Sequence, residues 1–174
     1  MKLDFSNVNV LLIGDLMIDH YIMGISNRMS PEAPVPVVIS QTEYSIVGGA
    51  GNVAMNLSSL GANVTCVGAV GNDNWGKKLI SILSNKGIST KHVDVIQNHP
   101  TTLKQRIYSK GKQVARLDKE EVLTDWDPKT KVKYEDFDVI VLSDYGKGVF
   151  YNDWLKYVKE AKKNKNTIVI LDPK

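Results

Sequence analysis

The sequence predicts an α/β fold: an open, mostly parallel sheet with flanking helices, plus a small β-sheet lid. Two observations carry this. Short continuous apolar runs, typical of strands buried on both faces, alternate with apolar stripes at helical spacing. Two further stretches, about 21–46 and 101–118, are β-prone but broken by prolines or a polar turn, and do not fit the buried pattern.

The first buried strand is Asn9 to Ile13, ending at Gly14-Asp15. Tyr21 to Gly24, Val35 to Ile39 and Glu43 to Ile46 are extended pieces interrupted by Pro31, Pro34 and Pro36, which favour edge positions. Gly48-Gly49-Ala50-Gly51 opens a helix. Val53, Leu57 and Leu60 form its apolar face, and Gly61 suits its end. Val64 to Val70 is the next buried strand. Trp75, Leu79 and Leu83 mark a second helix, closed by Gly87. Thr101 to Asp118 alternates about the turn Ser109-Lys110-Gly111-Lys112, which predicts a hairpin. Phe137 to Leu142 is a buried strand. Tyr151 to Lys163 is an amphipathic helix with Trp154, Leu155, Val158 and Ala161 inward, and Thr167 to Leu171 is the last strand. The two interrupted β stretches are expected to pair with each other as the lid.

Composition narrows the function. The chain has 174 residues, 43% hydrophobic and 24% charged, which excludes collagen-like and disordered classes. No apolar run approaches the roughly 20 residues needed to cross a bilayer. The net charge of +3 is too mild to imply nucleic-acid binding. Neither a membrane nor a nucleic acid is therefore an expected partner. The early Asp4, the missing signal-like stretch and the single Cys66 fit a reducing cytoplasm, the expected location. His20, His92, His99 and Cys66 are scattered, so no metal site is expected, and the histidines are assigned no role. Cys66 and Met55 read as core, and the lysines from 156 to 165 as a solvated helix face.

Three glycine-rich readings compete. Gly71-Asn72-Asp73-Asn74-Trp75-Gly76-Lys77-Lys78 fits G-x-x-x-x-G-K, but Lys78 stands where a phosphate loop needs Ser or Thr. Gly49-Ala50-Gly51-Asn52-Val53-Ala54 matches a dinucleotide fingerprint, but does not follow the first core strand. The third reading keeps Gly48 and Gly49 as a close backbone approach to a small ligand, with Asn52 and the helix N-terminus beside it. A tight packing turn is the plain alternative. Asp15, Asp19, Asp144 and Lys147 follow strand ends, where open α/β sheets bind ligands and where carboxylates can accept from sugar hydroxyls. Each alone is equally read as a cap or solvated turn. Lys104 and Arg106 share one hairpin face, as do Arg116 and Asp118. Such a face can clamp a phosphate or simply form an Arg–Asp pair in solvent.

Four segments together resemble the ribokinase-like carbohydrate kinases. They are Gly14 to Asp19, the string Ser30-Pro31-Glu32-Ala33-Pro34-Val35-Pro36-Val37, Gly48 to Leu57, and Leu142 to Gly148. Within that family the chain looks most like the D-glycero-D-manno-heptose 7-phosphate kinases, often the N-terminal part of a bifunctional kinase/adenylyltransferase. The resemblance implies a ribokinase-like fold and transfer of the ATP γ-phosphate to the anomeric hydroxyl of the sugar. It implies sugar contacts from Asp15, Asp19, Gly48, Gly49 and Asn52, and sugar or phosphate contacts from Lys104, Arg106, Arg116, Asp144 and Lys147. A phosphorylated sugar is the expected ligand, and a homodimer through the lid the expected assembly. ATP and Mg2+ are expected for the full-length enzyme, with none bound by this chain. The family's Asn-x-x-Glu and Gly-Ala-Gly-Asp motifs, the latter holding the catalytic base, are not found in the sequence. Residues 1–174 are thus expected to be the N-terminal part of a kinase domain, inactive alone, with the nucleotide half absent. Another ribokinase-like sugar or nucleoside kinase, or a non-catalytic sugar-binding or dimerisation module, are the other readings.

Overall fold

The computed structural model describes residues 4–129, 131–151, 155–163 and 166–174. In chain order the elements are β1 (Asn9–Gly14), β2 (Leu16–Ile25), β3 (Ile39–Gly49), α1 (Ala50–Ser59), β4 (Asn63–Gly71) and α2 (Asn74–Ser84). There follow β5 (Ser89–Ile96), β6 (Leu103–Ser109), β7 (Lys112–Lys119), a 3-10 turn at Tyr134–Asp136, β8 (Val139–Ser143), α3 (Leu155–Ala161) and β9 (Ile168–Asp172). One sheet has the order β5-β4-β1-β8-β9, and every neighbouring pair is parallel. The other has the order β3-β2-β6-β7 and is mixed.

At β1, β4 and β8 the parallel sheet is covered on both faces, which is why these strands read as unbroken apolar runs, whereas the edge strands β5 and β9 are only partly covered. Along β1, Val10 and Leu12 face one way and pack with Val64, Cys66, Val141 and the α1 and α2 side chains Ala50, Ala54, Leu79 and Leu83. Leu11 and Ile13 face the other way, with Val67, Ile140, Leu142, Trp126, Tyr157 and Ala161. Each such Leu or Ile contributes about 1.5–3 kcal/mol on burial. Burial also pushes the Cys66 thiol up to about 12, so it is an inert core residue.

Three expectations change. The sheet contains a further strand, β5, that the hydrophobic pattern does not mark. It is an edge strand whose polar and apolar residues mix, so it lacks the buried signature. Leu60 is 56% exposed, because α1 ends at Ser59 and turns its small residues Ala50, Gly51 and Ala54 to the sheet. In α3, Leu155 is 45% exposed, while Tyr157 is buried edge-on to Phe150 and shares the inward face with Ala161. Trp154, expected inward, lies outside the described residues.

The lid sheet starts earlier than residue 21. β2 begins at Leu16, so only Asp15 separates it from β1, and the chain passes from body to lid without a loop. Ile18 and Leu103 carry the lid's root into the body core. The hairpin turn places Lys110 at φ 50° and Gly111 at φ 77°, the two positive values a tight hairpin requires. Asp73 caps α2 through Gly76 N–H at 2.8 Å and accepts from Thr101 N–H at 2.9 Å and Thr101 Oγ1 at 2.8 Å. Thr101 Oγ1 in turn accepts from Gly71 N–H at 3.0 Å, so this knot fixes where the chain enters β6.

Candidate functional site at the junction of sheet and lid

The carboxyl ends of β1, β8 and β9 open toward the root of the lid, the end of a parallel sheet where ligands bind. Asp15 sits at this junction and is 1% exposed. Its Oδ2 accepts from Tyr145 N–H at 2.8 Å and Lys147 N–H at 3.0 Å, and its Oδ1 from Val149 N–H at 3.0 Å. Its carbonyl oxygen accepts from Ala50 N–H, the first amide of α1, at 3.0 Å. Burial raises its carboxyl above the ordinary range, and the three amides oppose that rise. The carboxylate is therefore engaged in holding the 144–149 loop.

Gly49 is the N-cap of α1 at φ 54°, ψ −136°, a conformation open essentially to glycine. A Cβ there would stand 2.5 Å from the Asp15 carbonyl oxygen, and one on Gly48 would stand 2.5 Å from Asp19 Oδ2. Gly48 thus leaves room for the Asp19 carboxylate. No side chain caps α1 at this end, and Asn52 is exposed on its first turn.

One face of the lid gathers charge. Arg106 Nη1 donates to Asp19 Oδ1, and this bond is the main reason the guanidinium is held above its ordinary range. The Arg106 guanidinium also lies 5.4 Å over the ring of Tyr21, which stacks on Tyr44. One register step along, Lys104 Nζ donates to Asp118 Oδ2 at 3.1 Å, and Arg116 Nε is ion-paired with Asp118 Oδ1 at 3.0 Å. Burial works against ionisation of Asp118, but the two cations outweigh it and hold its carboxyl below the usual range. Glu120 Oε2 then bridges Lys104 Nζ at 3.3 Å and Lys147 Nζ at 2.7 Å, joining the lid to the body.

Of the sequence-predicted residues, Asp19, Gly48, Lys104, Arg106 and Arg116 share this lid region. Lys147 joins them through Glu120, while Asp15 and Gly49 lie at the junction itself. Asp144 takes a different part. Its Oδ1 accepts from Gly146 N–H at 2.7 Å and its N–H donates to the Asp172 carbonyl at 3.0 Å, so it shapes the loop turn. Glu120 and Tyr21 were missed. Glu120 follows Asp118 at period two, a signal that places both on one face.

Among the described residues no three His, Cys, Asp or Glu side chains converge to hold a metal ion. The Gly71 to Lys78 segment is occupied by the cap of α2. Asp73 is committed to that cap and to Thr101, so the segment serves the start of α2 and the entry to β6. At the opposite end of the sheet a concavity is lined by Asn9, Lys91, His92, Lys131, Lys133 and Phe137. It contains none of the predicted site residues, and Gly87, just past the C-terminus of α2, borders it.

The model of the pfkB family carbohydrate kinases matches residues 8–174. The chain is 40% identical to the bifunctional protein HldE of Haemophilus influenzae strain PittEE, covering 98% of this chain and 36% of that protein. It is 39% identical to HldE of Campylobacter fetus, covering 96% of this chain and 38% of that protein. The chain thus spans little more than a third of the length of the curated relatives it matches. Among solved structures, ribokinase from Cryptococcus neoformans in complex with ADP superposes with a TM-score of 0.66 at 15% identity, covering 95% of this chain and 49% of that one. Arabidopsis thaliana ribokinase complexed with ribose and ATP does so with a TM-score of 0.66 at 19% identity, covering 94% of this chain and 53% of that one. The fold is the ribokinase-like α/β fold.

Proposed function

The chain belongs to the pfkB family of carbohydrate kinases, and from that premise we propose that it is the sugar-binding side of a heptose phosphate kinase. The substrate is D-glycero-D-manno-heptose 7-phosphate, and the reaction moves the γ-phosphate of ATP onto its anomeric hydroxyl. The observation that supports this best is the charged face at the sheet–lid junction. Lys104, Arg116 and Lys147 outnumber Asp118 and Glu120 there, beside a Gly-Gly turn that lets a ligand approach the backbone. The 40% identity to HldE supports the same specificity.

Phosphoryl transfer asks an enzyme chiefly for positioning and charge neutralisation. In this reading Asp19, oriented by Arg106, accepts from sugar hydroxyls, and Asn52 adds a donor and an acceptor. Lys104, Arg116 and Lys147 draw in the 7-phosphate. Asp15 holds the loop that carries Lys147, and the lid shields the sugar from water. In this reading this chain supplies the sugar side, and ATP, Mg2+ and the catalytic base are held by a nucleotide-binding half of the kinase. The location proposed is the cytoplasm; no helix among the described residues is long and apolar enough to cross a membrane. The lid's other face carries an apolar groove lined by Ile22, Val38, Ile107 and Val114, which supports pairing with a second copy.

Calorimetry with the heptose 7-phosphate and with the unphosphorylated heptose tests the reading, alongside ATP consumption and sedimentation. Binding that requires the phosphate, no turnover by this chain alone, and a dimer are expected. Preference for another sugar moves the specificity elsewhere in the family. Turnover by the chain alone refutes the assignment of the chemistry to a separate nucleotide-binding half.

A further inference from the structure

Glu120 lies one residue past the end of β7 and has no part in either sheet's ladder. Its Oε2 stands between two ammonium groups from different parts of the molecule, Lys147 of the body loop at 2.7 Å and Lys104 of the lid at 3.3 Å. A single anionic oxygen shared by two lysines is also how a phosphate oxygen would sit there. The Glu120 side chain is 38% exposed and its backbone is free of a strand, so it can swing away. Asp118 cannot do so as easily. It lies within β7, 21% exposed, paired with both Lys104 and Arg116.

Charge points the same way. With Glu120 in place, Lys104, Arg116 and Lys147 face two carboxylates and keep one net positive charge. With Glu120 displaced they keep two, which matches a phosphate monoester carrying about −1.5 to −2 at neutral pH. Lys147, and then Lys104, hold the Glu120 carboxyl below its usual range, so it is an anion at neutral pH.

We propose that Glu120 is a specificity-determining residue, an internal counter-anion that occupies the phosphate position and that the phosphate group of the substrate displaces. This rests on the reading of the chain as a sugar-phosphate binder. It has a physical consequence. A small anion alone must compete with a tethered carboxylate, whereas a phosphate on a sugar also anchored at Asp19 and Asn52 has further binding energy for the exchange. The site then rejects free anions in favour of phosphorylated sugars.

The test is calorimetric titration of wild type, Glu120→Gln, Glu120→Asp and Lys147→Met at fixed ionic strength. The probes are inorganic phosphate and the heptose 7-phosphate, and thermal melts check folding. Glu120→Gln is expected to bind inorganic phosphate at least fivefold more tightly than wild type, with a smaller gain for the sugar phosphate. Lys147→Met is expected to bind both at least fivefold more weakly. Glu120→Asp, too short to reach both lysines, should show part of the Glu120→Gln gain and carries the test if that variant misfolds. Unchanged or weaker binding in both Glu120 variants, with wild type still binding the sugar phosphate, overturns the inference and leaves the sugar-phosphate reading standing. No binding of either probe to any variant overturns both.

Discussion

Replacing Asp15 separates two roles that the same residue could play. The structure engages its carboxylate with three backbone amides, those of Tyr145, Lys147 and Val149. Asp15→Ala removes all three acceptors. The Val149 amide is buried and is left unpaired at about 2 kcal/mol, while the Tyr145 and Lys147 amides are reached by water in part and cost about 0.5–1 kcal/mol each. Against this, the carboxylate is no longer desolvated, which returns about 1 kcal/mol. The net loss is about 2–3 kcal/mol, and at ~2–4 °C per kcal/mol for a chain of this size the melting temperature falls by about 4–12 °C. Asp15→Asn should be milder, about 1 kcal/mol. Burial already raises the Asp15 carboxyl, so a neutral group is tolerated, and the Asn carbonyl still serves two amides. Urea unfolding followed by circular dichroism measures both variants. A loss below 1 kcal/mol in Asp15→Ala, with heptose 7-phosphate binding abolished, would show that Asp15 is a sugar ligand and refute its role in holding the 144–149 loop.

Three other perturbations have worked expectations. Gly49→Ala forces a side chain into φ 54°, ψ −136° and against the Asp15 carbonyl and Met17 Cε, so chemical denaturation should show a loss of about 2–4 kcal/mol. Asp73→Ala removes the cap of α2 and both bonds from Thr101, for about 2–3 kcal/mol by the same measurement, with the hairpin's amides exchanging faster. The carboxyls of Glu120 and Asp118 are held below their unfolded values near ~4, so the stability they contribute is complete above about pH 4. It is lost as pH falls through their folded values. The gap in melting temperature between wild type and Glu120→Gln should therefore be constant from neutral pH down to about pH 4 and close below that; a gap that widens in acid contradicts this.

What could be read from the sequence follows what each signal measures. Strands β1, β4 and β8 are buried on both faces, and that alone makes them visible as apolar runs. β5 is at the sheet's edge, where Ser89, Thr90, Lys91 and Asp94 are compatible with a strand but indistinguishable from a loop. At Leu60 side-chain size does not signal burial, because a helix lying close on a sheet turns its alanines and glycine inward. The site divides the same way. Gly49 announces itself, since its conformation is local. The engagement of Asp15 depends on amides 130 to 134 residues away, and the Glu120–Lys147 pair joins two segments that only the folded sheet brings together.

The same contacts bear on how the lid is attached. Its first crossing to the body, at Asp15, is pinned by the Ala50 amide on the Asp15 carbonyl and by the three amides on its carboxylate. The crossing into β6 is pinned by the buried knot of Asp73, Thr101 and Gly71, and by the Ile18 amide on the Thr102 carbonyl at 2.9 Å. The crossing out of β7 is held differently, by the Glu120–Lys147 ion pair, whose carboxylate side chain is 38% exposed, and by one backbone bond from Leu123 N–H to the Lys147 carbonyl at 2.9 Å. Ion pairs open to solvent are worth little and are screened by salt, whereas buried hydrogen-bonded groups are costly to separate. The exit from β7 is therefore the weakest of the lid's attachments, and it runs through the residue that stands where a substrate phosphate would. A phosphate that displaces Glu120 would exchange the lid's own tether for one made through the substrate, joining Lys104 of the lid to Lys147 of the body.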